Sequence, residues 1–244
     1  MPDDTAKMRG AWIADLAWPE IEKRIRSDTC AILPVGAAAK EHGRHLPLNT
    51  DQLQAEWLAE RIIEKTHALV WPTLTYGHYP AFTNYPGSCS ISTKIFENLV
   101  QEILQSIFSH GIRSALILNT GISTITPLEH AIARTRRQII LTNVYRGRRY
   151  LKAEEKIKQQ SSGSHAGELE TSIMLAIAPD KVNMSLAKAW TERRIRAGAL
   201  VRNDKSHPNY SPDGVYGDPT LATKEKGELL LKAMLEDILE LLNH

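Results

Sequence analysis

The sequence predicts an α/β fold, a mainly parallel sheet flanked by helices, and three observations carry that reading. Short apolar runs recur at Cys30–Val35, Ala68–Leu74, Ser114–Asn119 and Gln138–Val144. Between them lie stretches whose apolar residues fall three and four apart, the spacing of a helix with one buried face. Strand and helix alternate through the first two thirds of the chain, the signature of βαβ units.

Taken in order, Met8–Trp12 with Ile21–Arg26 suggests an N-terminal helix, with Pro19 early, where its missing N–H is tolerated. Cys30–Val35 is a buried strand bounded by Asp28 and Gly36. Asp51–Lys65 carries Leu53, Trp57, Leu58, Ile62 and Ile63 on one face and reads as an amphipathic helix, with Thr50 or Asp51 as its cap. Ala68–Leu74 is a second strand, followed by an aromatic, Gly/Pro-punctuated loop at Tyr76–Ser88. Loops of that length inside compact domains usually bind something. Ser92–His110 is a helix stopped by Gly111, Ser114–Asn119 a third strand, and Thr120–Thr124 a polar turn. Leu128–Arg137 reads as helix and Gln138–Val144 as the fourth strand. Lys152–Gly163 is charged and then Ser/Gly-rich, which suggests a mobile insertion or an exposed helix running into a flexible loop. Glu168–Ala178 is a helix ended by Pro179, and Ala222–Leu242 is the last helix.

The 244 residues are 42% hydrophobic and 24% charged, with a net charge of +2. These values fit one soluble domain spanning residues 1–244. No long Lys/Arg run points to nucleic acid, and Arg146–Arg149 reads as a solvated loop. The start MPDDTAKMRG lacks an apolar leader segment, so the expectation is a cytoplasmic protein without a membrane span. Cys30 and Cys89 sit in or beside apolar segments and are expected to be buried thiols rather than a disulfide.

The densest chemistry lies in KEHGRHLPLNTD, Lys40–Asp51, directly after the first strand. Carboxylates and imidazoles within a dozen residues are the donor mix that suits zinc, manganese or iron. Gly43 and Pro47 disfavour a helix there, so a shaped loop presents the side chains. In an open α/β sheet such loops stand at the carboxyl ends of strands, where ligands bind. Glu41, His42 and Asp51 are the candidate metal ligands, although Asp51 also reads as a helix cap. His45 reads as an orienter of Asp51 or His42. Lys40 is either a solvent-facing lysine or a cation within the site. A second cluster, His165-Ala-Gly-Glu168-Leu-Glu170, opens a helix. There the dipole favours the two acids and disfavours the cationic form of His165, leaving it fit to accept a proton.

Four phrases in order, LPVG with EHGRHLPLNTD, YPGS at Tyr85–Ser88, HAGELETS at His165–Ser172 and GDPTLATKEKGE at Gly217–Glu228, resemble the creatininase (creatinine amidohydrolase) family. The resemblance covers most of the chain. It implies an α/β protein, a homo-oligomer, opening amide or cyclic amide bonds of a small molecule at a site with two divalent metals. It places the family's motif histidine on His42, the bridging Asp on Asp51, the motif Glu on Lys40, the catalytic His on His165 and its acidic partner on Glu170. One extra residue after Gly36 leaves room for Glu41 to take the place Lys40 has vacated. After the third strand the family's ligand His is replaced by Gly121 and its Glu position by Ser123, so the resemblance implies at most one divalent ion, zinc or manganese. The creatinine-hydrolysing members carry a Trp-bearing lid before the HAGE motif. Arg146–Gly163 has none, so creatinine itself is not the expected substrate.

The leading expectation is therefore a hydrolase of carbon–nitrogen amide bonds with one metal on Glu41, His42 and Asp51. His165, Glu170 and Lys40 are its catalytic candidates, and Tyr85, Ser123 and Glu168 its substrate contacts. The alternatives are a metal-independent isomerase, dehydratase or cyclase run by Lys40, Glu41 and His165, or a non-catalytic ligand-binding descendant.

Overall fold

The computed structural model describes residues 9–191, 196 and 198–242. Five parallel strands, β1 (Ala11–Trp12), β2 (Cys30–Val35), β3 (Leu69–Val70), β4 (Ser114–Asn119) and β5 (Gln138–Asn143), lie in the order β1-β3-β2-β4-β5. The expected parallel α/β sheet is thus present. The helices α1 (Trp18–Arg24), α2 (Thr50–Ile63), α3 (Thr93–Ser109), α4 (Ile125–Ala133), α5 (Arg148–Ile157), α6 (Glu168–Ile177) and α7 (Lys224–Leu242) complete it.

Alternation along the strands builds two cores. Ile32, Leu116 and Leu118 point to one face, where they meet Leu58 and Ile62 of α2, Ile173 of α6 and Leu230 of α7. Their neighbours Leu33, Val35 and Ile117 point to the other, against Phe96, Val100 and Leu104 of α3 and Leu128 of α4. β2 and the interior of β4, Ala115–Leu118, are therefore apolar at successive positions: both faces are covered, as a parallel sheet requires. β2 and β4 pair in register from Cys30 with Ser114 to Val35 with Asn119, so both end at one level.

Several local expectations change. Ala11–Trp12 is not helical; it pairs with Leu69–Val70 as an edge strand, and the expected helical Met8 lies outside the described residues. Tertiary pairing has overridden local pattern there. Of Ala68–Leu74 only Leu69 and Val70 join the ladder, because Pro72 lacks the N–H a ladder needs; Leu74 returns as an isolated bridge to Val35. The Arg146–Arg149 run is exposed as expected at Arg146 and Arg148, but Arg148 and Arg149 are helix rather than loop. Arg149, in the first turn of α5, pairs with Asp237 (3.2 Å) and Glu240 of α7. The charged stretch beyond it is the amphipathic helix α5, which buries Tyr150. Cys30 is half-buried and Cys89 exposed, so the expectation of buried thiols fails for Cys89; both are free.

α6 and α7 pack closely against each other. A Cβ at Gly227 of α7 would stand 2.0 Å from the Ser172 carbonyl oxygen, so only glycine permits this approach. The same junction buries Glu168. Its carboxylate accepts the backbone N–H groups of Gln159 (2.8 Å) and Gln160 (2.6 Å) and pairs with Lys226 at 2.5 Å. Among the described residues, no helix is long and apolar enough to cross a membrane.

Candidate active site and metal centre

The site begins where β2 ends. Lys40 N–H donates to the Leu48 carbonyl, Glu41 N–H to Ser88 Oγ, and Cys89 N–H to the Ala39 carbonyl, which tie the loop to itself and to the aromatic segment. Thr120, just past the end of β4, donates its hydroxyl toward the carbonyls of Val35 (3.1 Å) and Asp51 (3.0 Å), closing the gap between strand end and helix start. Neither Thr50 nor Asp51 caps α2, whose cap position is Asn49. Asp51 instead turns its carboxylate into the protein, fully buried.

There it meets two cations or potential cations. Lys40 Nζ stands 2.6 Å from Asp51 Oδ2, and His42 Nε2 stands 3.0 Å from Oδ1. Burial pushes the Asp51 carboxyl up, but the Lys40 ammonium and His42 imidazole outweigh it and hold the group below the usual carboxylate range. Lys40 is therefore neither solvent-facing nor free. Its ammonium is nearly buried, 5.0 Å from the Phe82 ring centre.

The second cluster arrives from α6. His165 is held by an antiparallel bridge to Tyr216 and by the Phe82 ring, with centroids 4.4 Å apart. Ala166 follows at φ +47°, a left-handed conformation that costs a non-glycine residue about 1 kcal/mol or more. This turn lets Ala166 N–H donate to Glu170 Oε2 at 2.7 Å and swings Glu170 back toward His42, 3.6 Å from its Nε2. Donor atoms of His42, His165 and Glu170 all lie within 4.8 Å of one another, an incomplete set of three able to hold a divalent ion.

The hydrogen bonds behind these rings test the fit of a metal. His42 Nδ1 lies 2.8 Å from the Lys40 carbonyl, which can only accept, so Nδ1 carries a proton; Nε2 lies 3.0 Å from a second acceptor, Asp51 Oδ1, and is the nitrogen at which an ion would take the place of a proton. His165 Nε2 lies 3.2 Å from Glu41 Oε2, and its Nδ1 faces Glu170 Oε2 at 3.8 Å. A ring whose outer N–H is held by a carbonyl or carboxylate is the arrangement that metal-binding histidines adopt. The residues present fit one ion.

The metal trio expected from the sequence is redistributed. His42 remains, Asp51 is neutralised by Lys40, and Glu41 is turned to His165 and to the Gly43 N–H instead of toward His42 and Asp51. His165, Glu170 and Lys40 do converge, on the wall of a cavity of about 680 Å³. Of the expected substrate contacts, Ser123 lines that cavity, with its hydroxyl donated to the His78 carbonyl. Tyr85 does not. Its hydroxyl donates to the Ser211 carbonyl at 2.6 Å, and Glu168 is spent on the α6–α7 junction.

Tyr145 and Tyr150 line the cavity and were not among the expected site residues. Tyr145, just past β5, donates its hydroxyl to Gln54 at 2.5 Å and meets Tyr150 edge-on. A signal existed: Gln54 stands three residues after Asp51 on one helix face, and Tyr145 follows a strand's carboxyl end.

His45 supplies a measurable property of the site's surroundings. Its Nε2 bonds Thr171 Oγ1 at 2.9 Å, while Nδ1 is buried without a partner. Burial lowers its pKa to about 4 against the attraction of Glu170 and Glu41. An unfolded histidine titrates near 6.5, so between these values the unfolded chain binds more protons than the folded one. Stability is complete above about pH 6.5 and falls as pH drops toward 4, by about 2–3 kcal/mol for this group. Urea unfolding at pH 7.5 and 4.5 checks it: the acid loss should shrink in His45→Asn, and an unchanged loss would refute the assignment.

The sequence profile of the creatininase family, described as creatinine amidohydrolase, matches residues 14–242. Creatinine amidohydrolase of Pseudomonas putida is 26% identical over 94% of this chain and 95% of its own length. The mycofactocin precursor peptide peptidase of Mycolicibacterium smegmatis is 29% identical over 84% of this chain and 80% of its own. The 3-dehydro-scyllo-inosose hydrolase of Thermotoga maritima is 24% identical over 93% and 81%. Among solved structures, a creatininase described as the Mn form superposes with a TM-score of 0.81 at 22% identity, covering 96% of this chain and 98% of that one. With the fold, the motif order and the profile in agreement, the chain belongs to the creatininase family, as a divergent member with an incomplete, three-donor metal site.

Proposed function

We propose that this protein hydrolyses a carbon–nitrogen amide bond in a substrate larger than creatinine, with one divalent ion held by His42, His165 and Glu170. The reading treats residues 1–244 as one domain. The observation that carries it is the pair of outer hydrogen bonds, His42 Nδ1 to the Lys40 carbonyl and His165 Nε2 to Glu41, which turn the inner nitrogens toward Glu170, where an ion would replace the proton between His42 Nε2 and Asp51. The size of the substrate follows from the cavity. About 680 Å³ lies within the range of drug-sized sites and far exceeds what a single five-membered ring fills. The similarity to a peptide peptidase supports a peptide-like amide.

A divalent ion, when bound, supplies a Lewis acid for the carbonyl and acidifies water at neutral pH. Lys40, on the cavity wall and anchored by Asp51, places a positive charge and a proton donor where an amide oxygen would gain charge. Phe82, packed on His165, keeps water from one side of the ring. Tyr145 and Tyr150 give the substrate an aromatic wall.

A second reading has one observation in its favour. Glu41 and Glu170 face the two nitrogens of His165, a setting that also stabilises an imidazolium and suits metal-independent acid/base chemistry with Lys40. The readings separate on purified protein assayed against peptides, N-acyl amides and lactams, with and without a chelator. The first expects turnover that disappears on chelation and returns with zinc or manganese. Amide hydrolysis undiminished after complete metal removal sinks it in favour of the second.

A further inference from the structure

Glu41 is chemically out of place for a residue between two others of the site. It is nearly buried, yet contributes no donor to the cluster of His42, His165 and Glu170. Its two oxygens are separately engaged: Oε1 accepts the Gly43 N–H and Oε2 lies against His165 Nε2. A third contact comes from far along the chain. Gly214, at φ +81°, packs so closely that a Cβ there would fall 2.0 Å from Glu41 Oε1. Gly43 is also left-handed, at φ +73°. Two glycines, each in a conformation other residues resist, thus clamp one carboxylate, one from two residues away and one from far along the chain, and aim it at a single ring nitrogen.

We infer that Glu41 is a positioning residue: it takes the Nε2–H of His165 and thereby turns the Nδ1 lone pair toward His42 and Glu170, with the Gly214 loop holding it in place. The inference rests on the single-metal reading above. A carboxylate behind a ligating imidazole fixes its tautomer, and loss of such a partner weakens metal affinity by about 10–100-fold without removing a ligand. The metal affinity of this centre therefore depends on Gly214, a residue that supplies no donor to it.

The test compares wild type, Glu41→Gln and Gly214→Ala. Zinc affinity is measured by competition with a chromophoric chelator, and the imidazole nitrogens are followed by 15N NMR with and without zinc. Glu41→Gln is nearly isosteric, so it carries the test if Gly214→Ala does not fold. The expected result is one zinc per chain in each folded variant, bound about 10–100-fold more weakly than in wild type. The metal-free wild type should show His165 protonated at Nε2, and the variants a mixture of tautomers. Wild-type affinity in Glu41→Gln overturns the inference, and so does complete loss of the zinc, which would make Glu41 a ligand. If wild type binds no zinc, the single-metal reading fails by itself. The nitrogen spectra then still decide, because an Nδ1-protonated His165 in wild type overturns the role of Glu41 and an Nε2-protonated one lost in Glu41→Gln supports it.

Discussion

His42→Ala is expected to abolish stoichiometric metal binding and to lower kcat/KM by at least about 1,000-fold, equivalent to about 4 kcal/mol of transition-state stabilisation. His42 is the donor shared by every part of the site. Its Nε2 stands 3.0 Å from Asp51 and 3.6 Å from Glu170, and its other nitrogen is committed to the Lys40 carbonyl. Three donors already form a minimal set, and two do not retain an ion against water. The fold should survive: Asp51 keeps Lys40 as its counter-charge, and the strand registers are independent of the ring. Metal analysis and initial rates, taken at a temperature where the variant is fully folded, check the prediction. A variant that keeps its metal, or loses less than tenfold in rate, would remove His42 from the chemistry.

The sheet was legible because both its faces are covered: β2 and β4 are apolar at every interior position, and the intervening helices carry a stripe each. The edges were less so. β1 has two residues and takes its strand character from the backbone of Leu69–Val70, a partner more than fifty positions away. The site shows the same division. Composition alone marked Lys40–Asp51 and His165–Glu170 as chemical, and the structure brings the two segments to one cavity wall. Which oxygen faces which nitrogen was beyond the sequence. Glu41 and His42 are adjacent, but the left-handed turn at Gly43 and the approach of Gly214 decide that one points to His165 and the other to Asp51 and Glu170. Glu168 and Glu170 are likewise two apart on α6, where a step of two residues puts side chains on different faces. One therefore serves the α7 junction and the other the site.

Lys40→Met is expected to cost about 3–5 kcal/mol of stability at neutral pH and about 100–1,000-fold in kcat/KM. Both losses have one origin. The ammonium is 2.6 Å from Asp51 Oδ2, an oxygen with no other polar partner, and without it a fully buried carboxylate faces only the His42 ring. Breaking such a pair from one side is expensive because the remaining charge stays out of water. The pH dependence gives the sign. In wild type Asp51 is held below its ordinary range, so its contribution is complete above about pH 4 and is lost only as pH falls further through the depressed value. In the variant, burial acts without the opposing ammonium and raises the carboxyl. The stability gap between the two proteins should therefore be widest near pH 7 and narrow toward pH 5, where the variant's Asp51 takes up a proton in the folded state. The catalytic loss should appear in kcat more than in KM, since the charge is needed where the amide oxygen becomes negative. Added zinc or manganese should not restore it, because the vacancy left on Asp51 lacks the further donors an ion requires. Urea titrations of both proteins across pH 5–8, with rates at saturating substrate, decide the matter. A Lys40→Met protein as stable as wild type at pH 7 would mean that Asp51 is neutral there, and the charge pairing at the centre of this site would have to be abandoned.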